Sequence, residues 1–127
     1  IQDMGAAGLT SSSAEMAERG DVGVTIDVTK VPVREQGMTP YEILLSESQE
    51  RMLVVAKQGH EDEVRKILAK WDLEAAVIGE VIAEPVYRVT EGDRVVAEFP
   101  GSRLVTECPQ YVLEPRESEA LKAARAQ

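Results

Sequence analysis

The chain has 127 residues, 43% of them hydrophobic and 29% charged, with a formal net charge of −9. That length can bury one core, and the composition is that of a folded chain, so a single domain is expected. The negative balance opposes nucleic-acid backbones and anionic membranes, the 4% aromatic content argues against a base-stacking surface, and no apolar run reaches the length of a bilayer span.

The opening Ile1-Gln2-Asp3-Met4-Gly5-Ala6-Ala7-Gly8 reads as a strand end and a glycine-rich turn into a helix. Leu9, Ser13, Met16 and Ala17 recur at helical spacing. Ser12 and Glu15 fit a capping box, with an earlier start near Ala7 as the alternative, and Gly20 is the expected stop in left-handed geometry. Val22, Val24, Ile26 and Val28 alternate with Gly23, Thr25 and Asp27, which predicts a half-buried strand ended by Pro32. Thr39, Pro40 and Glu42 form the start of a short second helix that ends near Ser46. Met52 to Ala56 is a continuous apolar run, expected as a strand covered on both faces. Val64, Ile67, Leu68 and Trp71 make the apolar stripe of a third helix, with Glu61, Asp62 and Glu63 at its start and Lys66 and Lys70 nearer its end. Glu61 with Arg65 and Asp62 with Lys66 are spaced to pair. Ala75 to Ile82 reads as a strand with a bulge at Gly79. Glu91-Gly92-Asp93 joins Val86–Val89 and Arg94–Phe99 in a hairpin. Leu104-Val105 is expected as a last short strand, and Arg116 to Gln127 as a linker or frayed tail. The fold class is therefore α/β (α+β): a two-layer sandwich whose mixed sheet carries helices mainly on one face.

Asp3, before a glycine-rich turn, is a carboxylate suited to a hard cation such as Mg²⁺, and the amides of the following helix start favour anions. The plainer alternative is an aspartate that caps its own turn. Gly5-Ala6-Ala7-Gly8 has neither the lysine of a P-loop nor the dinucleotide spacing. Glu47-Ser48-Gln49 sits between a capped helix and a strand and offers acceptors and donors suited to ribose hydroxyls and an amide; by composition alone it is a solvated turn. His60 is the sole histidine and fits an exposed capping role. Cys108 fits an idle thiol with no internal disulfide partner. Arg34 and Arg51 are candidates for phosphate, with surface ion pairs as the commoner fate.

Ile1 to Ala17 and Met38-Thr39-Pro40-Tyr41-Glu42-Ile43-Leu44-Leu45-Ser46-Glu47-Ser48-Gln49-Glu50-Arg51 together resemble the family of phosphoribosylformylglycinamidine synthase large subunits, in the short form found in multi-chain complexes. The resemblance covers most of residues 1–112. It extends to aminoimidazole ribonucleotide synthetase, whose C-terminal subdomain supplies the expected fold. It implies a fragment, since the chain starts inside a motif without an initiator methionine: 1–112 would be a partial C-terminal subdomain of the first synthetase-like half, and 113–127 a linker or tail. It implies an ATP-dependent ligase that converts formylglycinamide ribonucleotide and glutamine-derived ammonia to the amidine. Asp3 would be a ligand for Mg²⁺, and Glu47, Ser48 and Gln49 would contact the ribonucleotide. No catalytic residue is assigned, because the family's catalytic histidines lie upstream. Expected partners are ATP, the ribonucleotide, a glutaminase subunit and a small accessory subunit, in the cytoplasm, with no nucleic acid or membrane. An isolated fragment is expected to expose apolar surface and a sheet edge that invite self-association. The rival readings are a sister ATP-dependent enzyme of the same superfamily and a non-catalytic α/β binding module.

Overall fold

The computed structural model describes residues 1–5, 7–47 and 49–125, and of these every side chain but those of Ala120 and Ala123. In chain order the elements are β1 (Gln2–Asp3), α1 (Gly8–Arg19), β2 (Gly23–Asp27), α2 (Pro40–Leu45), β3 (Met52–Leu53), α3 (Glu61–Ala69), β4 (Gly79–Ile82), β5 (Val86–Glu91), β6 (Arg94–Pro100) and α4 (Glu119–Arg125), with 3₁₀ turns at Val28–Lys30 and Gly101–Leu104. β1 and β3 pair in a small antiparallel sheet. The main sheet has the order β4-β2-β5-β6, with β2 and β5 parallel and the other neighbours antiparallel. Leu9, Ala14 and Ala17 of α1 and Ile43 of α2 share one buried cluster with Val24 and Ile26 of β2 and Tyr87 and Val89 of β5. Alternate residues of a strand point to one face, so α1 covers the face that carries these four side chains. The expected two-layer α+β sandwich with a mixed sheet is what forms.

Local chemistry explains where each element starts. α2 is closed by a capping box: Thr39 Oγ1 accepts from the Glu42 amide, and the Glu42 side chain accepts from the Thr39 amide. The Thr39 amide first, then the Thr39 hydroxyl, which donates to the same carboxylate at 2.7 Å, hold the Glu42 carboxyl below its ordinary value. The β5–β6 hairpin turns at Gly92, whose φ of 60° is left-handed. Asp27, at the end of β2, ties that turn down. Its Oδ1 accepts from the Thr29 hydroxyl at 2.7 Å, the Thr29 amide at 3.1 Å and the Gly92 amide at 3.2 Å. The Thr29 hydroxyl bond first, then the Gly92 and Thr29 amides and Lys30, outweigh partial desolvation and hold the carboxyl at about 2. An unfolded aspartate titrates near ~3.9, so the ionised form is favoured in the fold. The stabilisation is complete above that value and fades as pH falls from about 4 towards 2. The difference in melting temperature between wild type and Asp27→Asn is expected to shrink across that window, as read by circular dichroism; a constant difference from pH 5 to 2 would count against the tether.

Several elements differ from the sequence reading. α1 starts at Gly8, the earlier of the two starts considered; Ser12 is no cap, since its hydroxyl donates to the Gly8 and Leu9 carbonyls. Gly20 is right-handed, with φ of −88°, and Asp21, at 52°, takes the left-handed position. The amides of Asp21 and Val22 return to Glu18 O and Ala17 O, so the helix runs one residue further than expected before its terminal motif closes. β2 gives way to the 3₁₀ turn at Val28 rather than running to Pro32. The run Met52 to Ala56 is a strand only at Met52–Leu53, where β1 offers partners, and Met52, Val54 and Val55 are exposed. Ala75 to Ile78 is not strand. Gly79 is no bulge: it is the first ladder residue of β4, and a Cβ there would run into the Thr25 carbonyl, so glycine permits the close approach to β2. Leu104-Val105 is not a strand, because the Val105 and Glu107 amides both fold back on Ser102 O. The tail expected to be irregular carries α4, with Lys122 paired to Glu119 and Arg125 to Glu117. α3 forms as expected, yet its stripe is only partly covered: Val64 and Leu68 are half-buried, while Ile67 is 51% and Trp71 76% exposed. Arg65 pairs with Asp62, three residues away, instead of Glu61.

Candidate functional site

The two polar stretches meet in space. β1 and β3 run antiparallel with Asp3 opposite Met52, and the Met4 amide donates to Arg51 O at 2.9 Å. That pairing sets the turn after β1 beside the bend that precedes β3. Glu47, from the bend, then closes the gap: its Oε1 accepts from the Ala7 amide at 2.7 Å. Ala7 is the residue before α1, and its φ of 57° is left-handed. A non-glycine residue there costs about 1–2 kcal/mol, and the charge-assisted bond from Glu47 offsets part of that cost. Glu47 thus satisfies one of the amides that a helix start leaves open, from forty residues away.

Gly8 makes the contact possible. Its φ is 62°, and a Cβ on it would lie 2.7 Å from Ser46 O and 2.8 Å from Leu44 O. The bend therefore rests on bare backbone at the first turn of α1. Thr10 adds a hydroxyl bond to Leu44 O at 3.1 Å. Arg51 holds the far side of the bend: its Nη2 donates to Ser46 O, and Glu50 before it is left-handed at φ 62°.

Asp3 and Glu47 are exposed at this junction, and Gln49 is exposed on the bend. Ser48 lies outside the described residues. Asp3 Oδ1 accepts from the Gly5 amide at 2.6 Å, so the self-capped turn weighed for this residue is present. One cap bond leaves a carboxylate able to bind further, and it fixes the direction in which the group points. Among the described residues no group of three or more His, Cys, Asp and Glu side chains is placed to enclose a metal ion. The donor set fits a partly hydrated Mg²⁺, which binds through one or two carboxylates plus phosphate oxygens, and does not fit a fully protein-enclosed ion.

The other candidates fall elsewhere. His60 precedes α3 but caps no amide; its exposed ring pairs with Glu63 at 3.0 Å. Cys108 is exposed, with Sγ 3.4 Å from Arg103 O. Arg34 is exposed on the segment before α2. Arg51 is half-buried and, among the described residues, in no ion pair: its guanidinium turns inward to a backbone carbonyl, and Nε is buried without a partner among them. Two concavities, of about 420 and 530 Å³, lie beside Leu73 and beside Tyr41, and neither is lined by Asp3, Glu47 or Gln49. The junction is an open face.

The chain is similar to known proteins along most of its length. The family model described as AIR synthase related protein, C-terminal domain, matches residues 1–92. The chain is 58% identical over 125 residues to phosphoribosylformylglycinamidine synthase subunit PurL of Caldanaerobacter subterraneus subsp. tengcongensis, covering 96% of this chain and 17% of that protein. It superposes on Thermotoga maritima PurL complexed with FGAR and complexed with ATP, with TM-scores of 0.81 and 0.80, 38% identity in each case, 93% of this chain and 20% of that chain. It is also similar to the structure of PurLQS from the same organism, with a TM-score of 0.77, 38% identity, 93% of this chain and 22% of that one. The chain thus spans about a fifth or less of the length of the proteins it matches.

Proposed function

From the premise that this chain belongs to the AIR synthase related protein, C-terminal domain, family, we propose that it is a segment of a phosphoribosylformylglycinamidine synthase large subunit. The parent would be a cytoplasmic, ATP-dependent carbon–nitrogen ligase of purine biosynthesis. It would activate the amide of formylglycinamide ribonucleotide with ATP and let ammonia displace the phosphate. The observation that carries this reading is the bond from the Ala7 amide to Glu47, which joins the Asp3 turn and the Glu47-Ser48-Gln49 bend into one open face. Similarity to PurL complexed with FGAR and with ATP supports both substrates.

On this reading Asp3 holds Mg²⁺ beside the nucleotide phosphates, with its cap bond from Gly5 directing the carboxylate. The ion, when bound, would offset charge that builds on the transferred phosphoryl group. Glu47, Ser48 and Gln49 hold the ribonucleotide. Glu47 uses Oε1 on the Ala7 amide and has its second oxygen for the substrate. Positioning of this kind supplies rate by bringing bound partners together in reactive geometry. No residue of the chain takes the role of general base.

We place 1–112 as part of the C-terminal subdomain of the first synthetase-like half and 113–127 as linker or tail. The exposed Ile67 of α3, Trp71 just after it, and the exposed Val54 and Val55 support coverage of these faces by other parts of the parent. Similarity to PurLQS supports a glutaminase subunit and a small accessory subunit as partners. Among the described residues no helix is long and apolar enough to cross a membrane.

The test uses the full-length parent with ammonia as nitrogen donor. Wild type is expected to form the amidine in an ATP-dependent manner, and Asp3→Ala and Gln49→Ala to lose about 100-fold or more in kcat/KM with folding intact. Wild-type turnover with unaffected variants would remove the residue roles and keep the family. No turnover in wild type would move the reading to a sister enzyme or a binding module.

A further inference from the structure

We propose that Arg51 is a positioning residue that clamps the substrate bend against the Asp3 turn; this rests on the function proposed above. Its two halves grip the two stretches. The main-chain carbonyl accepts from Met4, next to Asp3, at 2.9 Å. The guanidinium Nη2 donates to Ser46 O, at the start of the bend. Ser46 O is also the atom that faces the bare Cα of Gly8. Arg51 therefore closes a loop of six residues, Ser46 to Arg51, which among the described residues carries Glu47, Gln49 and Glu50. A loop closed at both ends by one residue has few conformations left, and the Glu47 bond to Ala7 depends on where that loop sits.

Among the described residues the buried Nε has no partner. A buried donor left unbonded disfavours the folded state, so stability alone is a poor reason for arginine here. Methionine has a similar length and no donors. Arg51→Met removes the bonded Nη2 and the buried, unbonded Nε with the rest of the guanidinium, so gain and loss offset and the melting temperature is expected to move by no more than about 5 °C. The loop, however, loses its clamp. Lysine keeps a single charged donor that can serve Ser46 O.

In the full-length enzyme with ammonia, Arg51→Met is expected to raise KM for formylglycinamide ribonucleotide about tenfold or more while KM for ATP changes less than about threefold, and Arg51→Lys to recover most of the loss. Hydrogen exchange of the same proteins, read by mass spectrometry, is expected to quicken in peptides covering residues 4–9 and 44–51 of the Met variant and to be unchanged in those covering β5 and β6. Unchanged KM values and unchanged exchange in Arg51→Met would overturn the proposal. So would a Lys variant as impaired as the Met variant, or a loss that falls equally on both substrates. If Arg51→Met fails to fold, the Lys variant decides by the same two readouts. If wild type shows no turnover, the functional reading fails by itself, and the exchange data still show whether Arg51 holds the bend.

Discussion

Gly8→Ala is expected to lower the stability of the chain by about 2–5 kcal/mol, the sum of a left-handed penalty and forced overpacking. The backbone φ of 62° accounts for about 1–2 kcal/mol of this, because an L side chain in that region crowds its own carbonyl. The new Cβ would also meet Ser46 O at 2.7 Å, Leu44 O at 2.8 Å and the Leu45 carbonyl carbon at 3.0 Å. All three are backbone atoms, so no side chain can swing aside, and the bend itself must move. At about 3–5 °C per kcal/mol for a chain of this size, the melting temperature should fall by roughly 6–25 °C. Thermal unfolding by circular dichroism reads this directly; a loss under about 3 °C would mean that the bend does not rest on Gly8. The same substitution displaces Glu47 from the Ala7 amide, so it strikes stability and the candidate site together.

Tyr87→Ala is expected to cost about 3–5 kcal/mol, the range for deleting a buried aromatic side chain. Tyr87 is 1% exposed in the centre of the sheet and stacks on Phe99, with ring centroids 5.4 Å apart. Its hydroxyl lies 2.8 Å from Ser13 Oγ. Ser13 already donates to Leu9 O at 2.6 Å, so Tyr87 is the donor to Ser13. Burial pushes the phenol up to about 12. Its contribution is therefore whole below about pH 10, where an unfolded tyrosine titrates, and fades as pH rises towards 12. Tyr87→Phe removes the hydroxyl and keeps the ring, and should cost only about 1 kcal/mol. Denaturant titration of the two variants separates packing from the hydrogen bond: a Phe variant as weak as the Ala variant would assign the effect to the hydroxyl.

The elements legible in the sequence were those fixed by neighbours a few residues apart. Thr39, Pro40 and Glu42 specify the start of α2 through a capping box closed within one turn. Gly92 marks the β5–β6 hairpin, and alternation marks β2. The elements that were misread depend on distant partners. Met52 to Ala56 has the composition of a covered strand, but its strand ends where the ladder with β1 ends. Gly79 looks like a bulge until Thr25 is seen against it. The stripe of α3 was read correctly as helical, but Ile67 and Trp71 on it stay exposed. For the candidate site, Asp3 and Glu47 were legible as chemistry through the family resemblance. Their connection was not, because it runs through the Ala7 amide, and a backbone donor leaves no trace in the side-chain pattern. Arg51 was read as a phosphate or surface residue because nothing local signals that a guanidinium will turn inward to a carbonyl.

The strand order β4-β2-β5-β6 also bears on synthesis. β2 occupies an inner position of the sheet, yet both its neighbours are translated long after it; Val24 pairs with Val81 on one side and Tyr87 on the other. At about 5–20 residues per second, the ribosome needs roughly 3–12 s to make the intervening chain of about 60 residues. Through that interval β2 has both edges open and its apolar face lacks Tyr87 and Val89. Such high sequence separation between partners slows folding and lengthens exposure to aggregation. A nascent chain stalled before Val86 should therefore remain a target for chaperones that hold unpaired strands, whereas one released past Pro100 should not.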